Sequence, residues 1–400
     1  MFQNVESYPG DPILTLNEQF GADPRSHKVN LSIGVYLNEA GKMPAMRAVL
    51  RAETALAETL GTRPYLPMEG NAAYRAAVRE LTFGADAGNP VAADRIAIVQ
   101  TLGGSGALKV GADFIAHYFP QASVWVSDPT WDNHHSIFAG AGLPVRKYRY
   151  YDAATGHVDF YGMLSALEAL PAGDVVLLHA CCHNPTGADL DEAQWRELAA
   201  LFKRRGLLPF FDMAYQGFGQ GLDQDAFAIR HFAAEGIPLF TATSFSKNFS
   251  LYGERCGSLS VVCGDAQQAE NVLGQLKATI RRNYSSPPTH GARIIARVLG
   301  DAELRADWQA ELDGMRVRVR AMRIQLDAAL REACPDGDFD YLLRQTGMFS
   351  YTGLTAAEVE SMREESAVYL VGSGRLCLAA LTPATVAPTA QAMARVLRLR

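Results

Sequence analysis

Between residues 95 and 263, short apolar runs alternate with stretches of helical spacing. No other feature limits the folds open to this chain as strongly. The runs are RIAIVQ (95–100), SVWVS (123–127), VVLLHA (175–180), LLPFFDMAY (207–215), IPLFTAT (237–243) and SLSVVC (258–263). GALKVGADFIAHYF follows the first and TWDNHHSIFAGAG the second, both with helical spacing. Behind the third, Trp195, Leu198, Ala199 and Phe202 recur at helical intervals. That helix is predicted to stop at Lys203, Arg204, Arg205 and Gly206, with cations at its negative dipole end and then a glycine cap. Apolar strands interleaved with amphipathic helices predict an α/β fold, its mostly parallel sheet covered on both faces.

Near residue 301 the pattern changes. Leu304, Trp308, Leu312, Met315, Val319, Met322, Leu326 and Ala329 step by threes and fours, predicting one long helix or two nearly collinear ones. Arg316, Arg318, Arg320 and Arg323 fall on its other faces and are expected to be solvated. After Pro335 the segments DFDYLL, MFSYTGL and AVYLVG read as α+β. The chain is therefore expected to divide three ways: residues 1–43 as an N-terminal arm and part of a small domain, 44–314 as a large domain, and 315–400 as the small C-terminal domain. KVNLSIGVY (28–36) should join the small domain.

Composition narrows the function. With 400 residues, 48% of them apolar, the chain can bury a large core. A net charge of −6 argues against nucleic acid or an anionic membrane as the main partner. No apolar run reaches the ~20 residues that span a bilayer, and the first residues lack the pattern of a secretion signal. Six cysteines without framework spacing suit a reduced, cytoplasmic protein. His179-Ala-Cys-Cys-His183 is a poor zinc site, because adjacent cysteines rarely ligate one ion well and no second CxxC pair appears. No metal is expected.

In open parallel sheets, ligands sit beyond the carboxyl ends of the strands. The segments predicted there are TLGGSGAL (101–108), DPTWDNHH (128–135), CCHNPTG (181–187), DMAYQGFG (212–219) and SFSK (244–247). TLGGSGAL is a glycine-rich turn opening a helix, where bare amides favour an anion such as phosphate. It has neither Walker nor GxGxxG spacing. Ser244, Ser246 and Arg255 would complete a phosphate cup, since the arginine fork donates in pairs. Asp212 ends an apolar run; it is either a buried acid paired with a cation or a helix cap. Trp131 is a stacking face or a core ring, and His134 and His179 orient a carboxylate or are satisfied core histidines. A phosphate cup, an aromatic face, a buried acid and Lys247 together suit pyridoxal phosphate. Asp212 would keep the ring nitrogen protonated, and Lys247 would carry the aldehyde covalently. The ordinary lysine pKa is about 10.4, so desolvation or nearby cations must free the amine near neutral pH.

SFSKNFSLYGER (244–255), CCHNPTG, FFDMAYQGFG, IRRNYSSPP and SGR (373–375) resemble the class I aminotransferases, fold type I of the pyridoxal-phosphate enzymes, and most nearly their bacterial aromatic-amino-acid branch, sister to the aspartate branch. The likeness runs over nearly the whole chain. It implies a seven-stranded sheet in the large, cofactor-binding domain, a smaller α+β domain, and amino transfer between amino acids and 2-oxo acids. By position it implies that Lys247 is the cofactor lysine and that Asp212, backed by His134 and His179, holds the ring nitrogen. Asn184 and Tyr215 would bind the ring oxygen. Gly104, Ser105, Ser244, Ser246 and Arg255 would hold the phosphate. Arg375 would fork onto the substrate carboxylate beside Asn184, Trp131 and the Gly34 backbone. Tyr65 and Arg281 would enter from the neighbouring subunit of a homodimer. The expected substrates are phenylalanine, tyrosine and the dicarboxylates, with 2-oxoglutarate as acceptor and Arg281 swinging aside for an aromatic side chain. Ser366, Cys377 and Ala380 depart from the usual pattern, which bears on packing in the small domain. Two alternatives remain at this stage: a nucleotide-type phosphate protein, and a pyridoxal-phosphate lyase or decarboxylase of the same fold.

Overall fold

The computed structural model describes residues 2–8, 10–59, 61–85 and 91–399. They fall into two compact units, Pro44–Arg318 and Met1–Met43 with Val319–Arg400.

The larger unit is built on seven strands: β1 (Ile96–Leu102), β2 (Val124–Asp128), β3 (Val145–Arg149), β4 (Val175–His179), β5 (Leu208–Met213), β6 (Leu239–Ser244) and β7 (Cys256–Val262). They lie in the order β1-β7-β6-β5-β4-β2-β3. The pairs β2–β3, β2–β4, β4–β5 and β5–β6 are parallel, and β7 alone runs antiparallel to its neighbours β1 and β6. The central strands are buried on both faces, which is why they read as unbroken apolar runs rather than alternating ones. Val99, Val124, Val126, Leu177, Phe210, Ala242 and Leu259 form one core with Leu108, Val110 and Ile115 of α1 (Gly103–Tyr118).

Local signals set the helix ends. The helix α2 (Asn133–Ala139) follows β2. In α3 (Glu192–Arg205), Asp191 accepts from the Gln194 amide at 2.8 Å while the Gln194 side chain accepts from the Asp191 amide at 3.0 Å. Gly206 closes it in the left-handed region at φ 65°, as the cap pattern predicts. The helix α4 (Ala266–Asn283) covers β1. The apolar steps after residue 301 form a single helix, α5 (Ala302–Ala333), and the division between the units falls within it.

Chain direction fixes what meets at the sheet edge. Because β7 is reversed, it starts where β1 and β6 end: Gly257 is the partner of both Thr101 and Ser244. A Cβ on Gly257 would lie 2.4 Å from the Gly103 carbonyl carbon. Gly257→Val is therefore expected to destabilise the protein by about 1–3 kcal/mol. A lower denaturant midpoint with an unchanged slope would be the signature.

In the smaller unit, Val29–Asn30 pairs in parallel with Val368–Tyr369, and Phe349–Tyr351 pairs antiparallel with Arg375–Cys377. Cys377 is fully buried, its thiol facing the Val35 carbonyl at 3.6 Å, and Ala380 is buried in the turn behind it. Ser366 ends the helix Ala356–Ser366. Arg323 corrects the expectation of a solvated arginine face: it is 3% exposed, whereas Arg320 is exposed and Arg316 and Arg318 are half-buried. No helix among the described residues is long and apolar enough to cross a membrane.

Candidate active site

The anion cup is assembled at the reversed strand. Gly103 turns out of β1 at φ 68°, donates its amide to the Arg255 carbonyl at 2.8 Å, and opens α1. Arg255 is itself in the left-handed region at φ 54°. A Cβ on Gly103 would sit 2.6 Å from Arg255 Nη2, and one on Gly104 would sit 3.2 Å from Ser244 Cβ. Only glycine lets the turn, the guanidinium and the serines come this close. Arg255 Nη1 donates to the Tyr252 carbonyl at 3.0 Å and to Ser246 Oγ at 3.4 Å, and Ser244 Oγ lies 3.2 Å from Ser246 Oγ. No side chain caps the first turn of α1, so the amides that follow Gly103, Ser105 included, remain as donors. Bare amides, two hydroxyls and a guanidinium form a donor set suited to a phosphate dianion.

Asp212 lies in β5, beside His179 of β4 in the register. It is 6% exposed, and its Oδ2 is 3.0 Å from His134 Nε2. The other His134 nitrogen is 2.8 Å from Thr130 Oγ1. Burial works against the Asp212 charge. The His134 hydrogen bond, with Lys247 near by, outweighs it and holds the pKa below the usual carboxylate range. His179 meets His134 by ring contact, with centres 5.2 Å apart. Burial, and then His134, push its pKa down to about 3, so His179 is neutral near pH 7. His134, His179 and Asp212 are close enough to grip an ion, but both His134 nitrogens are already engaged.

Lys247 follows β6. Its ammonium lies 4.9 Å from the centre of the Tyr215 ring, which is buried. The segment after it is pinned: the indole of Trp308, in α5, donates to the Asn248 carbonyl at 2.7 Å and stacks on Phe249 at 4.7 Å. Asn184 is buried after β4. Trp131 sits edge-on to His134 at 5.2 Å. Gly104, Ser105, Trp131, His134, His179, Asn184, Asp212, Tyr215, Ser244, Ser246, Lys247 and Arg255 thus all belong to the larger unit and lie at or just beyond the strand ends.

Gly34 and Arg375 belong to the smaller unit. Arg375 is 5% exposed, donates to the Ser32 carbonyl at 2.6 Å, and rests on the Phe349 ring at 4.5 Å. Tyr65 is 96% exposed, and Arg281, at the end of α4, is exposed and donates to Ser285 Oγ. The single chain does not draw these two into the strand-end cluster. Sequence reasoning missed Thr130, Gly103 and Trp308. The i, i+4 spacing of Thr130 and His134 and the first glycine of TLGGSGAL were available signals; nothing local marks Trp308.

A mostly parallel sheet whose carboxyl edge presents an anion cup, a buried acid and a lysine defines a pyridoxal-phosphate enzyme of fold type I. The family model "Aminotransferase class I and II" matches residues 26–393. The chain is 57% identical over 399 residues to the aromatic-amino-acid aminotransferase of Escherichia coli K12, covering 99% of this chain and 100% of that one. It is 49% identical over 397 residues to the aspartate aminotransferase of Pseudomonas aeruginosa, with 99% and 100% covered. The structure of the aromatic-amino-acid aminotransferase of Burkholderia pseudomallei, covalently bound to pyridoxal phosphate, superposes with a TM-score of 0.96 at 52% identity, covering 99% of each chain. The chain belongs to the class I and II aminotransferase family and is a transaminase.

Proposed function

We propose that this transaminase uses pyridoxal phosphate to move the amino group of phenylalanine, tyrosine or aspartate to 2-oxoglutarate. The observation that carries the reading is the buried Asp212–His134 pair beside Lys247, with the anion cup of Gly103, Ser244 and Arg255 at the same sheet edge. Bound there, the cofactor supplies an electron sink for the pair left when the substrate Cα–H bond breaks.

The chain's own residues do the rest. Ser244, Ser246, Arg255 and the first amides of α1, with Gly104 and Ser105, hold the phosphate. Trp131 covers one face of the ring. Asp212, kept ionised by His134, holds a proton on the ring nitrogen, and Asn184 and Tyr215 bind the ring oxygen. Arg375 pairs with the substrate carboxylate beside the Gly34 backbone. The Lys247 amine would hold the cofactor between turnovers and, once displaced by the substrate amine, would be free to take the Cα proton as general base. Two substrates that use one site in turn give ping-pong kinetics. The test is direct: borohydride should fix the yellow chromophore on the peptide containing Lys247, and kcat/KM should be measured for phenylalanine, tyrosine and aspartate. A colourless protein after incubation with excess cofactor contradicts the reading.

Aspartate as the main substrate is the second reading. Arg281 favours it, as an exposed cation at the end of α4 that suits a distal carboxylate. For an aromatic side chain, Arg281 would swing to solvent rather than stay buried without a partner, which costs several kcal/mol.

We also infer a cytoplasmic homodimer in which Tyr65 and Arg281 complete the neighbour's site. Exposure of Tyr65 at 96% supports this, as do six cysteines with no disulfide among them. Mixing Lys247→Ala subunits with Arg281→Ala subunits should restore aspartate transamination that neither variant has alone, because one site of each mixed dimer is intact. No recovery would mean that each chain builds its site alone.

A further inference from the structure

Arg323 is a buried arginine that donates to four backbone carbonyls and one hydroxyl. Its Nη1 donates to Ser350 Oγ at 2.6 Å and to the Leu342 carbonyl at 3.1 Å. Its Nη2 reaches the carbonyls of Thr346 at 3.0 Å, Gly347 at 2.8 Å and Phe349 at 2.6 Å. One guanidinium thus collects the carbonyls at the end of the short helix Tyr341–Arg344, those of the following turn, and the first residue of the strand Phe349–Tyr351. A planar fork can hold acceptors at fixed angles on both of its ends; a lysine ammonium cannot.

The strand it holds is paired with the one that carries Arg375. Phe349 pairs with Cys377 and Tyr351 with Arg375, and the Met348 carbonyl accepts from the Leu378 amide at 2.8 Å. The Phe349 ring lies under the Arg375 guanidinium at 4.5 Å, and a cation is attracted to that ring face. The same ring meets Gly34 on its edge, where an added Cβ would be 2.9 Å from Phe349 Cζ. The position of one phenylalanine therefore sets both the arginine and the glycine assigned to the substrate carboxylate.

We propose that Arg323 is a positioning residue for substrate binding: by locking residues 342–350 it fixes Phe349 beneath Arg375 and so sets the geometry of the carboxylate anchor. This rests on the reading of Arg375 given above. The anchor binds the α-carboxylate common to the amino donor and the oxo acid, so losing its alignment should weaken both alike. Uniform weakening raises KM and leaves kcat nearly unchanged.

The test uses the cofactor-loaded enzyme with Arg323→Lys and, in case that variant fails to fold, Phe349→Leu. The probe is 3-phenylpropionate, which keeps the carboxylate but has no amine to react; its Kd is read from the change in cofactor absorption. In both variants that Kd, and KM for phenylalanine and 2-oxoglutarate, should rise by about tenfold. kcat should stay within about threefold of the parent, and borohydride should fix as much cofactor on Lys247 as before. Parental affinity in a folded variant overturns the proposal. So does a fall in cofactor content that parallels the loss of affinity, since that marks a merely structural role. Arg375→Lys separates the two readings. If it leaves the probe's Kd unchanged, the carboxylate assignment fails and the proposal with it. If it alone weakens binding, only the role of Arg323 fails.

Discussion

Lys247→Ala is expected to lower kcat for transamination by up to about 10⁴-fold, the upper range for loss of a placed general base. The same change should remove the borohydride-fixed label while leaving cofactor affinity largely to the cup. Ser244, Ser246, Arg255 and the α1 amides stay in place, because the 244–255 segment is held by the β6–β7 pairing and by Trp308 on Asn248. A small primary amine added to the variant should recover part of the rate, since it can enter the space of the missing side chain and act as the base. Parental turnover in Lys247→Ala would overturn the assignment of both covalent and proton-transfer roles.

The second large effect is on Asp212. Asp212→Asn keeps the size and the contact with His134 but removes the charge, and is expected to lower kcat by about 10²–10³-fold, the scale for losing one placed electrostatic group. Cofactor should still bind, so the loss belongs to the rate. The pH dependence follows from the direction of the shift. The folded pKa of Asp212 is depressed, so its contribution to stability is fully present above the unfolded value of about 3.9. It is lost only as pH falls through the lower, folded value. Within neutral and mildly acidic pH the carboxylate does not titrate, and any acid limb in kcat there must come from another group. Acid unfolding of Asp212→Asn should lack this contribution. A variant with parental kcat would show that the ring nitrogen needs no anionic partner.

The sequence showed the strands plainly, because a strand buried on both faces has no solvent side to interrupt its apolar run: VVLLHA and IPLFTAT are cases of this. Local chemistry also announced the end of α3, where three cations and a glycine act within one turn. Arg323 was misread because helical spacing gives a face but not what covers it. The carbonyls of residues 342–349 meet that face through a chain reversal about 20 residues away, which no window along α5 contains.

By itself the sequence determined the alternation of elements, the chemical types at each strand end, and hence the pairing of a lysine with an acid and a phosphate cup. It could not determine which strand would be reversed. That reversal brings Arg255 against Gly103 and Ser246, residues 152 and 9 positions away in the chain. It was decided only by tertiary structure, because strand direction is selected by the packing of the whole sheet and leaves no mark on the strand's own residues.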